Sequence, residues 1–452
     1  MLRLCASEAL GRLASLAGTN FLTSQIKSLV DQVVNNRDPY ARAGCALAFG
    51  SIYIQVGGLA AGPLLKTTVN VLMSLGNDPH PVVHYHALRA LSNVIDAASL
   101  GYGPFVSGTL GMLLKIYLME SHEREGGSVV NANLSGEYPA YPISCRIIDD
   151  IIRVLGPDVQ ESRSRRELIL NLVNEFMQEE EEVGVEAIKC IQHFLMFAPG
   201  DIDTGTVVTQ FRKYLGPSTK ERGLKVASIN ALYQLVQRDG LEMSKVGGDQ
   251  LVEELFSMLD EQVEGTGGAE GQGVRSVIES WLEQTVVYNP SAWIDLCQRI
   301  MSKTTTTQQV ASGDDEGQGI LQAQDSTTGG LTARWRTQLF ALQCLHRICV
   351  IVGADSARGE HLSPAVARVK GLSTHGLLYT RVPDLIKMAF TASAAYVTDI
   401  RLEGLVVLRD VIQVNRHLCD DLCSEKVDRY SPKPLIRRSS KKPYYWNNTK
   451  LL

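Results

Sequence analysis

The histidines His80, His84 and His86 form the one cluster of side chains in the sequence that suggests a metal ligand set or a catalytic base. Zinc sites combine imidazole with thiolate or carboxylate ligands at fixed spacings. On a helix, His80 and His84 share a face, whereas His86 points elsewhere. No cysteine or acidic residue completes a convincing set. We therefore predict no metal site, and we expect His80 in an inter-helix turn and His84 in a structural slot.

Other groups with chemical potential are interpreted in the same way. Cys344, His346 and Cys349 lie on a predicted buried helix, 335–352, and point in different directions, which favours packing. The glycine-rich stretch 265–273 lacks the phosphate-binding spacing G-x-x-x-x-G-K-[ST] and follows no strand. The hydrolase signatures G-x-S-x-G and H-E-x-x-H do not occur in the sequence. We therefore predict a protein that is not an enzyme, without catalytic, cofactor-binding or metal-binding residues and without a cofactor.

Two charged stretches invite a functional interpretation. Glu179–Glu182 opens a predicted helix, where negative charge is favourable, and the alternative is contact with a basic partner. Residues 425–452 hold eight basic and two acidic residues, a net +6, which leaves −11 for the rest because the whole chain carries −5. This tail suggests disorder, or contact with an acidic membrane or an import receptor. The acidic body argues against nucleic-acid binding.

The spacing of the cysteines and the lack of a secretion signal or a long apolar run indicate the cellular compartment. The nine cysteines include no C-x-x-C pair and have no disulfide-like spacing, which favours a reducing compartment. No secretion signal precedes the glycosylation sequons at Asn133 and Asn447, so we expect neither to be modified. The apolar runs are too short to predict a bilayer-spanning segment. We expect a cytosolic protein.

One phrase recurs along the chain: apolar, basic, two of any type, small, two of any type, small or apolar, then apolar. Its fullest copy contains Asp78, Pro81, His84, Ala87 and Ala90. With the basic slot as marker, copies are placed at Arg3, Arg42, His84, Arg146, Gly184, Lys225, Arg275, Arg336 and Arg401. Four steps between markers fall near 40 residues, the period of two-helix HEAT or armadillo units. The copies at Arg146 and Gly184 fit the phrase poorly.

The phrase predicts the second helix of a repeat. An acid or Asn caps its start, proline occupies its first turn, and small residues three apart let neighbouring helices approach. A basic residue near the acid of the next unit is expected to form a ladder. First helices are predicted at Leu22–Val34, Pro63–Leu75, Phe105–Met119, Arg166–Phe176, Leu251–Val263, Ala292–Met301 and Pro383–Ala394. No alternating strand pattern competes with them.

The sequence thus predicts an all-α protein, an α-solenoid of about eight or nine antiparallel helix pairs of the HEAT or armadillo type with loop insertions. Repeats are expected at 1–119 (the first incomplete), 142–302 with a glycine-rich loop at 264–273, and 332–414. A flexible insertion is expected at 120–141, a disordered linker at 303–331 and a basic, disordered tail at 415–452. Because the first helix lacks its partner, we expect a piece of a longer solenoid.

Several long stretches resemble the family of HEAT repeat-containing protein 5, whose fungal counterpart is the large accessory protein of clathrin adaptor complex 1. They are NNRDPYARAGCALAFGSIYIQVGG (35–58), LGNDPHPVVHYHALRALSNVIDAASLGYGPFV (75–106), WLEQTVVYNPSAWIDLCQRIM (281–301), RWRTQLFALQCLHRICVIV (334–352) and PDLIKMAFTASAAYVTDIRLEGLVVLRDVIQV (383–414). Residues 415–452 do not resemble the family, which suggests a truncated or alternatively spliced product.

The resemblance implies an internal part of a very long, non-enzymatic scaffold. It implies association with the adaptor accessory proteins aftiphilin and gamma-synergin and with clathrin adaptor complex 1, and attachment to membranes through these partners. The implied role is vesicle trafficking, including endocytosis and retrograde transport, between endosomes, the trans-Golgi network and the plasma membrane. Its location would be the cytosol, the trans-Golgi network and endosomal vesicles. The alternatives are a nuclear-transport or phosphatase-type HEAT scaffold and an enzyme that uses the His80 cluster.

Overall fold

The computed structural model describes residues 2–126, 138, 140–179, 181–216, 219–259, 269–310, 335–354, 356–372 and 377–429. These residues form two compact units, 1–284 and 285–452, and contain no strand. The α-helices of the first unit are α1 (Leu2–Ala17), α2 (Thr19–Asn35), α3 (Pro39–Val56), α4 (Gly58–Ala61), α5 (Leu65–Gly76), α6 (Pro81–Ala98), α7 (Val106–Gly126), α8 (Ala140–Leu155), α9 (Arg163–Phe176), α10 (Glu181–Phe197), α11 (Thr204–Leu215), α12 (Arg222–Arg238), α13 (Gly240–Val246), α14 (Gly248–Met258) and α15 (Ala269–Thr285). Those of the second are α16 (Pro290–Val310), α17 (Trp335–Ala354), α18 (Pro364–Val369), α19 (Val382–Ser393) and α20 (Thr398–Arg429).

Within each unit the helices pack as pairs, and the second helix of one pair contacts the second helix of the next. In the first unit α2 packs on α3, α5 on α6, α9 on α10 and α11 on α12, and the second helices contact each other in the order α1, α3, α6, α8, α10, α12. In the second unit α16 packs on α17, α19 packs on α20, and α17 contacts α20. The prediction of an all-α, HEAT-type solenoid is confirmed.

All nine marker positions lie within the first seven residues of a second helix, including the poorly matching copies at Arg146 in α8 and Gly184 in α10. The repeat phrase therefore located every one of these helices. Four helices had no counterpart in the prediction: α11 and the short helices α4, α13 and α18. The signal for α11 was the apolar spacing of Val207, Phe211 and Leu215, whose side chains are buried.

The caps explain where the second helices begin. The Asp38 carboxylate accepts hydrogen bonds from the backbone N–H groups of Tyr40 and Ala41, with Pro39 in the first turn of α3. Asn36 lies outside this cap and accepts from the Asp38 N–H at 2.9 Å. Before α6 the cap residue is His80, and Asp78 accepts from the His80 N–H at 2.9 Å. An aspartate thus satisfies orphan amides at both starts, as such residues do at helix termini.

Among the first three repeats, one ion pair of the predicted ladder is present, and it joins the second repeat to the third. The guanidinium of Arg42, on α3, pairs with the Asp78 carboxylate in the turn between α5 and α6. In the preceding unit Arg3 occupies the same slot, and its guanidinium lies 5.0 Å from the centre of the Tyr40 ring. In the following unit the slot is His84, whose Nδ1 lies 2.5 Å from the Gly76 carbonyl oxygen. Of these three described slots, only Arg42 contacts an acid of the next unit.

Helices replace part of the predicted loop at both edges of the first insertion and at the later edge of the second. The predicted flexible insertion 120–141 is helical at 120–126, where α7 continues to Gly126, and at 140–141, where α8 begins. The predicted glycine-rich loop 264–273 is helical from Ala269, the first residue of α15. Glutamate and arginine are good helix formers, so a polar extension of a buried helix needs no apolar face of its own. Residues 127–137 and 260–268 lie outside the described residues.

The same correction applies to the linker and the tail. The predicted linker 303–331 is helical at 303–310, the end of α16, and the predicted tail 415–452 is helical at 415–429, the end of α20. The apolar periodicity stops near Val414, but helix propensity does not, because the residues that follow include Leu, Glu, Lys and Arg. Residues 311–334 and 430–452, with the sequence 437–446 of the basic tail, lie outside the described residues.

One described helix, α17, is long and apolar enough to cross a membrane by length and composition. The sequence had not predicted a segment of this kind. Phe340, Leu345 and Ile348 of α17 are nevertheless buried within the second unit. This is the packing expected of the core helix of a repeat.

Close approach between α1 and α3 depends on Gly11. A Cβ at Gly11 would lie 2.6 Å from the Ser51 carbonyl oxygen and 2.9 Å from its carbon. We expect Gly11→Ala to lower the free energy of unfolding by about 1–3 kcal/mol, because the obstacle is backbone and the helices must separate. Gly111, in α7, has nothing within 4 Å of the same position. Gly111→Ala should instead raise it by about 0.5–1 kcal/mol. Urea denaturation measures both, and equal signs would contradict the role of Gly11.

Candidate interaction surface

The second helices at the start of the first unit line one groove. Its cavity has a volume of about 280 Å³ and crosses four successive helices, α1, α3, α6 and α8. The lining residues are Leu4, Glu8, Leu47, Ser51, Ile54, Gln55, Arg89, Ser92, Asn93, Ile143 and Arg146. Each helix buries one stripe against its neighbours and turns another toward the groove, as the helical period requires. The repeat itself therefore builds the surface.

The groove combines apolar contact area with polar groups that the fold leaves unused. Leu4 and Ile54 are exposed, at 39% and 55%. Among the described residues, Arg89, Asn93 and Gln55 have no hydrogen-bond or ion-pair partner for their side chains. Arg146 has one, since its Nη2 lies 3.1 Å from Oε1 of Glu186 on α10. Such unpaired polar groups beside apolar ones are what a binding surface offers to a partner.

Two arginines, Arg89 and Arg146, line the part of the groove that α6 and α8 form, and His86 lies on α6 one turn before Arg89. Burial, followed by the nearby guanidinium groups of Arg89 and Arg3, lowers the pKa of His86 to about 4. The imidazole therefore stays neutral at physiological pH. His86 also packs edge-on against Tyr85 and Tyr138, at ring distances of 5.2 and 5.9 Å.

A buried polar seam lies beneath the groove, where α8 meets its two neighbours. Oδ2 of Asp150 accepts from the Ser92 hydroxyl of α6 at 2.6 Å. Oδ1 of Asp149 lies 2.5 Å from Nδ1 of His193 on α10. Arg153 bridges outward, with 2.9 Å to Asp96 and 3.2 Å to Asp150. Two adjacent carboxylates thus join α8 to the second helices before and after it.

The surroundings of this seam strongly shift the pKa of one carboxyl group, that of Asp150. Burial raises the pKa of Asp150 to about 6, against the lowering effects of the Ser92 hydroxyl and Arg153. Asp149 and Asp96 add repulsion in the same direction as burial. The folded protein therefore holds a proton on Asp150 more tightly than the unfolded chain does.

The predicted histidine cluster is held by structural contacts. His80 occupies the N-cap position of α6 without a capping hydrogen bond from its side chain, and its ring lies 6.0 Å from that of Tyr40. His84 reaches the Gly76 carbonyl, and burial lowers the pKa of its imidazole. Within the described parts of the chain, no group of three or more His, Cys, Asp or Glu side chains could hold a metal ion. His80, His84 and His86 thus have separate surroundings.

The second candidate set is also dispersed. His346 pairs through Nδ1 with the Asp410 carboxylate, which joins α17 to α20. Cys344 and Cys349 are buried, and burial raises the pKa of Cys349 to about 12, so that it remains a thiol. Cys145 and Cys190 are equally buried, and the Cys190 thiol donates to the Cys145 carbonyl at 3.2 Å. These cysteines are packing residues.

Three further sequence features have a limited place in the structure. The acidic run 179–182 does open a helix, since α10 begins at Glu181. Both sequons, at Asn133 and Asn447, lie outside the described residues. Sequence reasoning missed the groove and the seam, because both depend on contacts between residues about 40–60 positions apart, such as Ser92 and Asp150.

The stacked second helices and the groove that they line define a repeat scaffold of the HEAT class. Residues 377–427 match the family model described as the Laa1/Sip1/HEATR5 HEAT repeat region. Protein SWEETIE of Arabidopsis thaliana is 25% identical over 441 residues, which covers 92% of this chain and 19% of SWEETIE. The chain therefore spans about a fifth of the length of this relative. The resemblance to the HEAT repeat-containing protein 5 family is confirmed, and the family match extends to residue 427, beyond the predicted limit at 414.

Solved structures resemble the chain less closely. A crystal structure of importin beta covers 91% of this chain and 47% of its own, with 13% identity and a TM-score of 0.48. The crystal structure of an engineered protein covers 90% of this chain and 94% of its own, with 14% identity and a TM-score of 0.41. That of a Kap121p mutant covers 92% of this chain and 38% of its own, with 13% identity and a TM-score of 0.41.

Proposed function

We propose that this chain is part of a non-catalytic, protein-binding scaffold that acts in vesicle trafficking linked to clathrin adaptors. The observation that carries the proposal is the match of residues 377–427 to the Laa1/Sip1/HEATR5 HEAT repeat region. The similarity to SWEETIE over most of the chain supports the same family. The groove across α1, α3, α6 and α8 supplies a surface for protein partners.

The proposed partners are the adaptor accessory proteins aftiphilin and gamma-synergin and clathrin adaptor complex 1, or their counterparts. Membrane attachment would be peripheral and would run through these partners. The proposed location is the cytosol, the trans-Golgi network and endosomal vesicles. The supporting argument is the family resemblance, together with a helical stack whose polar and apolar side chains face outward along successive repeats.

Proximity labelling in cells tests the proposal. We expect the full chain, fused to a labelling enzyme, to label adaptor complex components at least fivefold above the free enzyme expressed at the same level. The comparison is with a disrupting variant, the double substitution Leu10→Asp, Ala14→Asp, which should lower this labelling. Ala14 is buried, and α1 packs on α2 and α3, so a charge at this position is expected to disrupt the packing of α1.

Labelling confined to the nucleus, with importin cargo recovered and adaptor components missing, would contradict the trafficking role and favour a nuclear-transport scaffold. Labelling confined to mitochondria would contradict both.

A further inference from the structure

We propose that the groove lined by α1, α3, α6 and α8 binds an extended segment of a partner protein in which acidic side chains alternate with apolar ones. This inference deepens the proposed scaffold function and rests on it, because it names the chemistry of the segment that the scaffold would hold. Four features of the groove support it: its length, its unused amides, its unpaired arginine and its apolar floor.

The length of the groove suits an extended chain. Neighbouring helix axes lie ~8–10 Å apart, so four successive helices span about 25–30 Å. An extended peptide rises ~3.3 Å per residue, so about eight or nine residues cross the groove. The cavity of about 280 Å³ is small for a folded ligand and holds only a few side chains at a time.

The amides of Gln55 and Asn93 match a peptide backbone. Each carries an NH2 group that donates to a backbone carbonyl and an oxygen that accepts from a backbone N–H. In the described chain neither side chain has a hydrogen-bond partner, although Asn93 is only partly exposed. They lie on successive second helices, α3 and α6, so that both are able to hold one strand. Main-chain hydrogen bonds of this kind give affinity without demanding a particular sequence.

The charge selects the side chains of the segment. Arg89 is exposed and has no ion-pair partner among the described residues. A carboxylate satisfies an unpaired guanidinium through charge-assisted hydrogen bonds. Glu8, on α1, lies at the other end of the groove and disfavours acid there. The segment is therefore expected to place its carboxylates toward α6 and α8.

The apolar residues favour a protein segment, and not a membrane surface, as the ligand of the groove. Four apolar residues line the groove, of which Leu4 and Ile54 are exposed and Leu47 and Ile143 are buried. Alternate side chains of an extended segment face one way, so every second residue contacts this floor. Binding to anionic lipid headgroups relies on clusters of about four to eight basic residues. The groove itself contains two arginines and one glutamate.

Fluorescence anisotropy with the full chain tests the inference. The probes are two labelled ten-residue peptides, one alternating leucine with glutamate and one alternating leucine with lysine. We expect the glutamate peptide to bind at least tenfold more tightly. Arg89→Glu should weaken it at least tenfold, and Asn93→Ala at least threefold. Arg37→Glu is the matched control, because Arg37 is exposed and outside the groove, and it should change binding less than twofold.

Equal binding of the two peptides, or equal weakening by Arg89→Glu and Arg37→Glu, would overturn the inference. So would binding to phosphatidylserine vesicles that Arg89→Glu weakens while the glutamate peptide fails to bind. Unchanged thermal unfolding confirms that each variant is folded. If the peptides discriminate as expected but adaptor components are not labelled in cells, the groove stands and the trafficking role fails. If adaptor labelling occurs and the peptides do not discriminate, the groove inference alone fails.

Discussion

Trp281→Ala is expected to lower the free energy of unfolding of this protein by about 3–5 kcal/mol, the range for removing a large buried aromatic side chain. Trp281 is 1% exposed on α15, and its indole lies against Gly247. The indole Nε1–H donates to the Ser244 hydroxyl of α13 at 2.8 Å. Truncation therefore leaves a cavity, and the Ser244 hydroxyl keeps its own bond to the Gly240 carbonyl but loses the hydrogen bond that it accepts from the indole. Urea denaturation followed by circular dichroism measures the loss.

Two matched variants separate the causes. Trp281→Phe keeps most of the apolar volume and loses the hydrogen bond, so it should cost about 1 kcal/mol for the bond and less for packing than alanine does. Leu59→Ala removes a side chain that is 100% exposed and should change stability by less than about 0.5 kcal/mol. A loss for Trp281→Ala as small as that for Leu59→Ala would show that the indole does not fill the α13–α15 contact.

Asp150→Asn is expected to remove a pH dependence of stability. Burial raises the pKa of Asp150 to about 6 in the folded protein, so stability from this group is full at pH values below its unfolded pKa and is lost as the pH rises through about 6. Between pH 4.5 and 7.5 the loss is about 2 kcal/mol. The amide that replaces the carboxyl group has no charge to bury, so the variant gains stability relative to the parent as the pH rises. Denaturation at both pH values gives this difference.

The control for Asp150→Asn is Asp96→Asn. Both carboxylates contact Arg153, but the Asp96 side chain is 61% exposed and that of Asp150 is 6% exposed. The same chemical change at the exposed position should leave the difference between the two pH values within about 0.5 kcal/mol of the parent. A parallel effect of the two variants would assign the pH dependence to the charge of the cluster as a whole and not to the burial of Asp150.

The sequence contained enough information to place the second helices. The phrase with a basic residue, small residues and an initial proline recurs along them in fuller or weaker copies, because each must satisfy the same capping and close-packing requirements. Even the weak copy at Gly184 marks a helix, and there the missing side chain leaves room for Leu224 of α12, 3.2 Å from where a Cβ would lie. Capping and close packing depend on residues within the helix and its first turn, so a single sequence is enough to predict the second helices.

The contacts between distant helices were harder to interpret. Asp149 and Arg153 were misfits to the repeat phrase, since a charge occupied a small or apolar slot. Their partners, His193 and Asp96, lie 44 and 57 positions away. A single sequence does not show which distant side chain will compensate a buried carboxylate. Likewise, Ala6 and Ala9 fill small slots in α1 but are exposed, whereas Ser7 and Gly11 are buried against the next helix.

The pairing of Arg42 with Asp78 has a consequence for how the repeats open. Asp78 belongs to the turn before α6, yet one of its oxygens is held by α3 and the other by the first amide of its own cap. If either repeat unravels alone, a carboxylate that is 7% exposed loses one of these two partners. In a nearest-neighbour description of a repeat array, this contact is an interface term that penalises a boundary between a folded and an unfolded repeat. Fluctuations of α3 and α6 are therefore coupled, and the two repeats open as one cooperative unit.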